Sequence, residues 1–335
     1  MKAKRTTTRA GLLRVLADGE LHSGAAIGAK LGVSRAAVFK SVHALSEIGL
    51  AVEAIAGRGY RLQVPLTPLD RRRMAHHLDG SAITSRQIEI VEEVDSTNRY
   101  LLKRAIAVPD PSGSVCVAEV QPLGRGRRGR GWIASPYQNL MLSMAWRFSG
   151  GPAMVAGLSL AAGVAVVRAL ERFGVREVGL KWPNDVLWHE RKLAGLLVDV
   201  NGEAGGPCTV VLGVGINCRI APADGRRIDQ PWVDLHTITG AIPDRNRLAA
   251  ILMDELQKMF HVFAEFGLTA FQPEWEQHHL YAGRDVRVQQ GEAAFDGTVH
   301  GIDDHGALRV RAPDGEMHVC HSGEVSLRRA NRLPR

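Results

Sequence analysis

Only four cysteines, Cys116, Cys208, Cys218 and Cys320, occur in the 335 residues, far apart and with no Cys-x-x-Cys pair. That scarcity argues against a disulfide framework and against a zinc site of paired cysteines; reduced thiols in a cytoplasm are expected. No early segment reads as a secretory signal, because Arg14 interrupts the one apolar run near the start. The uncharged stretch 148–167 is long enough to span a bilayer, yet it holds Gly150, Gly151, Pro152, Gly157 and Gly163. A loop followed by a buried helix is expected there, with no membrane partner. Internal repeats and low-complexity tracts are absent as well.

What is present is charge, unevenly placed. The formal net charge is +7, and residues 1–62 carry ten Lys/Arg against four acids, so nearly all the excess sits in the first fifth. A basic module of that size is the electrostatic footprint of a nucleic-acid partner. Its pattern agrees. A short amphipathic helix is expected over 8–17, then a helix capped by Ser23 and running to Leu31, a turn at Gly32, and a helix from Arg35 to about Ile48 capped by Ser34. Two helices joined by a glycine turn form a helix-turn-helix, which places Ser34, Arg35, Ala36, Phe39 and Lys40 toward DNA. Phe39 has a second reading, as a core side chain. A hairpin follows, Val52 to Ile55 and Tyr60 to Leu62, whose tip brings Arg58 near a phosphate. The alternative for this module is a small helical domain that docks on protein.

Pro65 and Pro68 mark a linker, and the remainder alternates strands and helices: strands near Ile88, Val115–Glu119, Leu140–Phe148, Leu193–Val200 and Thr209–Asn217, with helices over 99–107, 157–173 and 248–266. Leu140–Phe148 reads as an alternating strand. From Arg284 onward, short strands separated by Gly291, Gly297, Asp303-Asp304, Asp314-Gly315 and Gly323 suggest a small all-β barrel. The fold class expected is a multidomain α/β protein. Residues 1–64 form a winged helix-turn-helix, 65–282 a mixed α/β catalytic domain, and 283–335 a small SH3-like β-barrel.

The stretch that carries chemistry is 121–132, QPLGRGRRGRGW, where four arginines alternate with four glycines. Glycine lets backbone approach a ligand, and the guanidinium fork suits phosphate and carboxylate. Gly124, Gly126 and Gly129 satisfy G-x-G-x-x-G, but that fingerprint needs a helix to follow, and Pro136 and a strand come instead. No Lys-Ser/Thr pair follows the glycines, which removes a Walker A loop. Asp95-Ser96-Thr97-Asn98 is either a helix cap alone or a set of hydroxyl and amide groups offered to a polar ligand. Lys192, at the head of an apolar strand, is either a flanking surface lysine or a buried cation.

DSTN at 95–98, Q-x-x-GRGRRGRGW at 121–132, KWPND at 181–185, RKLAGLLV at 191–198 and GVGINC at 213–218, in that order, resemble the biotin–protein ligases. Together with the N-terminal module, the chain resembles the bifunctional subclass that also represses the biotin operon. The resemblance implies activation of biotin with ATP and Mg²⁺ to biotinyl-5′-AMP, then transfer to a lysine of a biotin carboxyl carrier protein. It further implies that the adenylate acts as corepressor, promoting a homodimer on operator DNA. By the same resemblance Ser96, Thr97, Asn98, Gln121, Arg125, Gly126, Arg127 and Lys192 hold biotin. Arg128, Arg130, Trp132, Asn184 and Trp232 meet the adenylate, and Lys192, Arg127 and Asp185 are the catalytic candidates. Either tryptophan has the alternative of plain hydrophobic cover, and the residues that hold Mg²⁺ are not assigned. Two rival readings remain: an enzyme of this architecture acting on another acid such as lipoate, and a regulator that catalyses nothing.

Overall fold

The computed structural model describes residues 2–78, 83–290, 293–321 and 325–329. The first module is three helices, α1 (Lys2–Leu16), α2 (Gly24–Leu31) and α3 (Arg35–Glu47), with a hairpin of β1 (Val52–Ile55) and β2 (Gly59–Leu62). Helix α1 starts six residues before the position expected from its apolar pattern, because polar residues extend a helix that its leucines anchor. Ser23 Oγ accepts the Ala26 N–H at 3.1 Å and Ser34 Oγ accepts that of Ala37 at 3.2 Å, so both caps stand where the hydroxyls predicted them. Gly32, at φ +63°, ends α2 in the left-handed region that favours glycine. Gly59 is required for a different reason: a β-carbon there would lie 2.0 Å from the His22 carbonyl oxygen, where the hairpin bonds back to the first turn.

Val38, Val42 and Leu45 turn inward from α3 and pack on Leu12, Leu13, Leu16 and Ile27. The opposite stripe is left to solvent, and Phe39, 61 % exposed, lies on it, so its reading as core is wrong. The core of this module also takes in Val120 and Tyr137 from the part that follows. The Tyr137 hydroxyl donates to Glu92, while Arg9 pairs with Glu93 at 2.9 Å. Burial raises the proton affinity of both the Glu92 carboxyl and the Tyr137 phenol.

A linker runs to α4 (Arg71–His76) and is held by a buried pair: Arg245 Nη1 lies 2.8 Å from Glu119 Oε2. Arg245 also donates to the carbonyls of Thr67 and Asn139, and Glu119 accepts the Leu69 N–H at 2.6 Å. Both side chains are almost fully buried, so removing either would leave the other's charge without its counter-charge in the interior.

The central sheet has seven strands: β3 (Ile88–Glu93), β4 (Val115–Val120), β5 (Leu140–Phe148), β6 (Val178–Lys181), β7 (Asp185–Trp188), β8 (Arg191–Gly202) and β9 (Cys208–Ile216). Their order is β3-β4-β5-β9-β8-β7-β6, parallel only between β3 and β4. Helix α5 (Thr97–Ala105) covers part of one face; α6 (Leu158–Phe173) and, after two short helices α7 (Pro222–Gly225) and α8 (Leu235–Thr239), the long α9 (Arg245–Phe266) cover the other. Period two sorts the side chains: Leu142, Met144 and Trp146 of β5 face α6 and α9, while Met141, Ser143 and Ala145 face the α5 side. Because both faces are covered, β5 is buried at every position but Arg147, rather than alternating between core and water as expected. The uncharged stretch resolves into a loop and the core helix α6, as expected.

After α10 (Gln272–His278) come β10 (Asp285–Gln290), β11 (Ala293–Ile302), β12 (Leu308–Arg311), β13 (Met317–Cys320) and β14 (Val325–Arg329), a five-stranded antiparallel sheet in the order β13-β12-β11-β10-β14. Its core is continuous with that of the central sheet, and Gly306 accepts the Trp182 indole N–H at 3.0 Å. Gly291 and Gly323, two of the expected turn markers, lie outside the described residues.

His279, just past α10, is buried beside Trp275, and neither ring nitrogen has a hydrogen-bond partner among the described residues. Burial lowers its affinity for a proton to about 4, against an unfolded value near 6.5. The unfolded chain therefore binds the extra proton, and stability is lost as pH falls through the window from about 6.5 to about 4, by roughly 3 kcal/mol from this group. Urea unfolding of His279→Phe should show a correspondingly flatter stability profile across that window than the parent.

Candidate active site

Three glycines make the site possible. Gly195 on β8 and Gly215 on β9 pair directly, and Gly213 lies two residues along β9, all on the face that α5 covers only in part. Without side chains the sheet has a floor on which other groups can lie. A β-carbon on Gly215 would be 2.6 Å from the Trp132 ring, one on Gly195 3.0 Å from it, and one on Gly213 2.1 Å from Asn98 Oδ1. Above the floor is a cavity of about 310 Å³, near the lower end for small-molecule sites.

Of the residues singled out from the sequence, Ser96, Thr97, Asn98, Gln121, Arg125, Gly126, Arg127, Arg130, Trp132, Asn184, Asp185 and Lys192 line this one cavity. They come from segments up to 96 residues apart in the chain, brought together by the order of the strands. Arg128 is exposed, with φ +57°, and does not line the cavity. Trp232 lines a smaller neighbouring pocket with Trp132 and Lys192, its indole N–H donating to the Gly225 carbonyl at 3.2 Å.

One end of the cavity is polar and neutral. Helix α5 begins at Thr97, two residues earlier than expected, so Ser96 is its N-cap and Thr97 and Asn98 belong to its first turn. Gln121 Oε1 accepts the Thr97 backbone N–H at 2.8 Å, which ties the start of the arginine loop to the start of α5. The Asn98 amide donates to the Leu197 carbonyl at 3.1 Å and to Asp199 at 3.0 Å, and accepts from Ser143 at 2.6 Å.

The other end is cationic. Lys192 reaches it through a β-bulge: Val186 pairs with Ala194 but Leu187 with Lys192, so Leu193 is an extra residue that turns the lysine from the core face to the cavity. Its Nζ is 2.7 Å from Asp185 Oδ1 and 5.6 Å from the centre of the Trp132 ring. Arg127 Nη1 donates to Asn184 Oδ1 at 3.3 Å. Burial, with Arg130 and Arg128 near, makes this guanidinium hold its proton less firmly than usual, while Asp185 acts in the opposite sense. Cations so placed lack enough anionic partners, which is the condition of a site that awaits an anion. The reading of Lys192 as a surface lysine fails, since its side chain is only 16 % exposed.

Sequence reasoning missed Ser143, Asp199, Met141 and the role of the glycine floor. A signal existed: Gly213 and Gly215 stand two apart within an apolar strand, which marks close approach by another group. Asp199 and Ser143 are polar residues inside apolar runs, and such residues need a partner. On the DNA-binding module, Ser34, Arg35, Ala36, Phe39 and Lys40 form an exposed face of α3 and its cap, and Arg58 is exposed at the hairpin tip.

Three family models match the chain: an HTH domain over residues 9–61, the biotin/lipoate A/B protein ligase family over 90–217, and the biotin protein ligase C terminal domain over 281–328. The bifunctional ligase/repressor BirA of Escherichia coli is 38 % identical over 98 % of this chain and all of its own. The biotin--[acetyl-CoA-carboxylase] ligase of Mycobacterium tuberculosis is 39 % identical over 77 % of this chain and 95 % of its own. Among solved structures, the biotin protein ligase of Aquifex aeolicus in complex with biotin and ATP superposes with a TM-score of 0.61 at 29 % identity, covering 72 % of this chain and 99 % of that one. With the N-terminal module, the ligase core and the C-terminal sheet all matched in order, the chain belongs to the family of bifunctional biotin–protein ligase/repressors.

Proposed function

We propose that the cavity activates biotin with ATP and passes the acyl group to a lysine of a biotin carboxyl carrier protein, and that the activated form governs DNA binding. The observation that carries this reading is the polarity of the cavity: the donors and acceptors of Ser96, Thr97, Asn98 and Gln121 at one end, where Arg125 is balanced by Asp199, and Lys192, Arg127 and Arg130 at the other. Biotin is itself polarised in that way, with a cyclic urea at one end and a carboxylate at the other. A biotin carboxylate oxygen attacks the α-phosphorus of ATP, and the bond to pyrophosphate breaks. The carrier amine then attacks the acyl carbon, and AMP leaves with the bonding pair.

Each step gathers negative charge where Lys192 and Arg127 already stand, so little reorganisation is needed as it develops. Asp185 holds the Lys192 ammonium in position, and in this reading its carboxylate takes the proton that the carrier amine loses on acylation. Ser96, Thr97, Asn98 and Gln121 take the urea, the Arg125–Arg127 backbone folds over the ligand, and Arg128, Arg130, Trp132, Asn184 and Trp232 enclose the nucleotide. Among the described residues no three His, Cys, Asp or Glu side chains are grouped to hold a metal ion, whereas Asp185 and Asp229 line the cavity. That donor set fits a Mg²⁺ carried in on the phosphates of ATP, which usually brings most of its own ligands. The ion neutralises phosphate charge.

The lipoate rival is disfavoured by the same polarity, since a dithiolane ring has no partner for Thr97 and Gln121. For the second role we take biotinyl-5′-AMP as corepressor: ordering the arginine loop favours a homodimer, whose two α3 helices and hairpins meet a two-fold operator ahead of the biotin-synthesis genes. The working units are residues 1–64, 65–282 and 283–335, and the location is the cytoplasm.

Lys192→Ala should lower biotin-dependent pyrophosphate release by about 10²- to 10³-fold. An unchanged rate would remove the lysine from the chemistry, whereas a parent that releases no pyrophosphate at all would favour the non-catalytic rival. Arg35→Ala should weaken binding to the control region of the biotin-synthesis genes by roughly tenfold in a fluorescence-anisotropy titration, with carrier biotinylation, followed by mass, unaltered. Operator affinity equal to the parent's would take α3 out of the groove.

A further inference from the structure

At the neutral end of the cavity a chain of hydrogen-bonded side chains runs back into the protein, and its inner members, Ser143 and Asp199, do not line the cavity. Asn98 Nδ2 is 3.1 Å from the Leu197 carbonyl, 3.0 Å from the Asp199 carboxylate and 3.4 Å from the Val211 carbonyl. All three are acceptors, so they fix which way the amide faces. Its Oδ1 must then meet Ser143 Oγ, at 2.6 Å, and the notch above Gly213 holds it there. An amide oxygen carries no hydrogen, so Ser143 donates. The serine oxygen is left with lone pairs for Thr97 Oγ1, 2.7 Å away; in a hydroxyl–hydroxyl contact either oxygen can supply the one hydrogen, and here it has to be Thr97. Gln121 Oε1, 3.2 Å from the same hydroxyl, is served instead by the Thr97 backbone N–H at 2.8 Å.

We propose that Asp199, Asn98 and Ser143 order the hydrogens of this relay so that Thr97 Oγ1 faces the cavity only as an acceptor, selecting a ligand ring that presents an N–H. The inference rests on the cavity being the biotin site, and names three residues that set its specificity, two of which make no contact with the ligand. Asp199 and Ser143 are positioning residues, acting through Asn98 and Thr97. The direction is enforced because the middle of the relay is dry: Ser143 is fully buried and Asn98 3 % exposed, so no solvent hydrogen bond can substitute for a reversed one. Asp199 also lies 3.7 Å from Arg125, which joins the fixed end of the relay to the arginine loop.

The test is a comparison of KM values in pyrophosphate release by the full chain, using biotin and its two mono-oxa analogues, in which one or the other ring N–H is replaced by oxygen. For the analogue lacking the N–H that faces Thr97, the parent should show a KM about 10- to 100-fold above that for biotin, because two lone pairs then oppose each other. In Ser143→Ala the Thr97 hydroxyl is free to turn and donate, so that ratio should fall about tenfold, mainly through KM, while Ser143→Cys, which keeps a donor, should retain most of it. Thr97→Val should lower the ratio too, and Ser143→Ala added to it should change the ratio no further. A ratio unchanged in Ser143→Ala, or effects of the two substitutions that simply add, overturns the relay and leaves Ser143 a structural hydroxyl. Should Ser143→Ala not fold, a ratio unmoved in Thr97→Val overturns the relay equally. Parent protein that releases no pyrophosphate with biotin overturns the site reading and the relay together; an active parent with equal KM values for both ligands overturns the relay alone.

Discussion

A patch of sheet with no side chains is the constraint from which the site follows. Strand faces in a protein of this kind are filled, and the opposite face of the same two strands, with β5 beside them, is packed by Leu196, Leu212 and Leu142 against α6 and α9. On the cavity face Gly195, Gly213 and Gly215 leave a floor at backbone level, and each is held to glycine by what lies above it. Trp132 rests on two of them and Asn98 on the third, so the aromatic wall and the amide of the neutral end are both placed by what the strands omit. The Lys192 ammonium then lies against the face of Trp132, where the ring quadrupole favours a cation that Asp185 alone would pair.

Legibility in the sequence followed the range of the interactions. The first module could be read residue by residue, because caps, glycine turns and helical periodicity are local: Ser23, Ser34 and Gly32 announce their geometry within four positions. Cavity residues carried by short motifs were legible through the resemblance those motifs bear to a family, and the structure gathers twelve of them around one space. What stayed hidden depended on register between strands. Ser143 looks out of place in an apolar run until β5 is laid beside β9, where it faces Gly213 and the notch that receives Asn98. Lys192 faces the cavity only because Leu193 bulges, and no pattern within β8 itself reports that shift. The expected alternation of β5 failed for a related reason, since the second cover on the sheet comes from α5 and from a ligand space rather than from a continuous layer.

The arginine loop is rich in glycine and anchored at both ends. Two residues before Gln121, Glu119 is fixed by Arg245 and the Leu69 N–H; beyond Trp132, Ser135 donates to Asp224 at 2.7 Å and Tyr137 is buried. Between these anchors the segment is held by bonds from within the protein, Gly126 N–H to the Arg130 carbonyl at 2.7 Å, Trp132 N–H to the Gly124 carbonyl at 2.8 Å and Arg127 to Asn184 at 3.3 Å, which offset part of the conformational entropy lost on ordering it. Both anchors touch the boundary with the first module, Glu119 through the linker and Tyr137 through the helical core. The arginine loop and the helical module are thus attached to the same few residues.

Tyr137 shows what this attachment entails. It is a ligase-domain residue by position, yet its ring completes the interior of the helical module, and Val120 does the same. Cutting the chain at the linker would not give two self-sufficient halves: one would lose part of its interior, and the other would display a wet phenol and valine with Glu92 beneath them. Recombination that exchanged N-terminal modules between such proteins would therefore have to bring along a tailored seat, whereas the solvent-facing stripe of α3 can change without disturbing that seat.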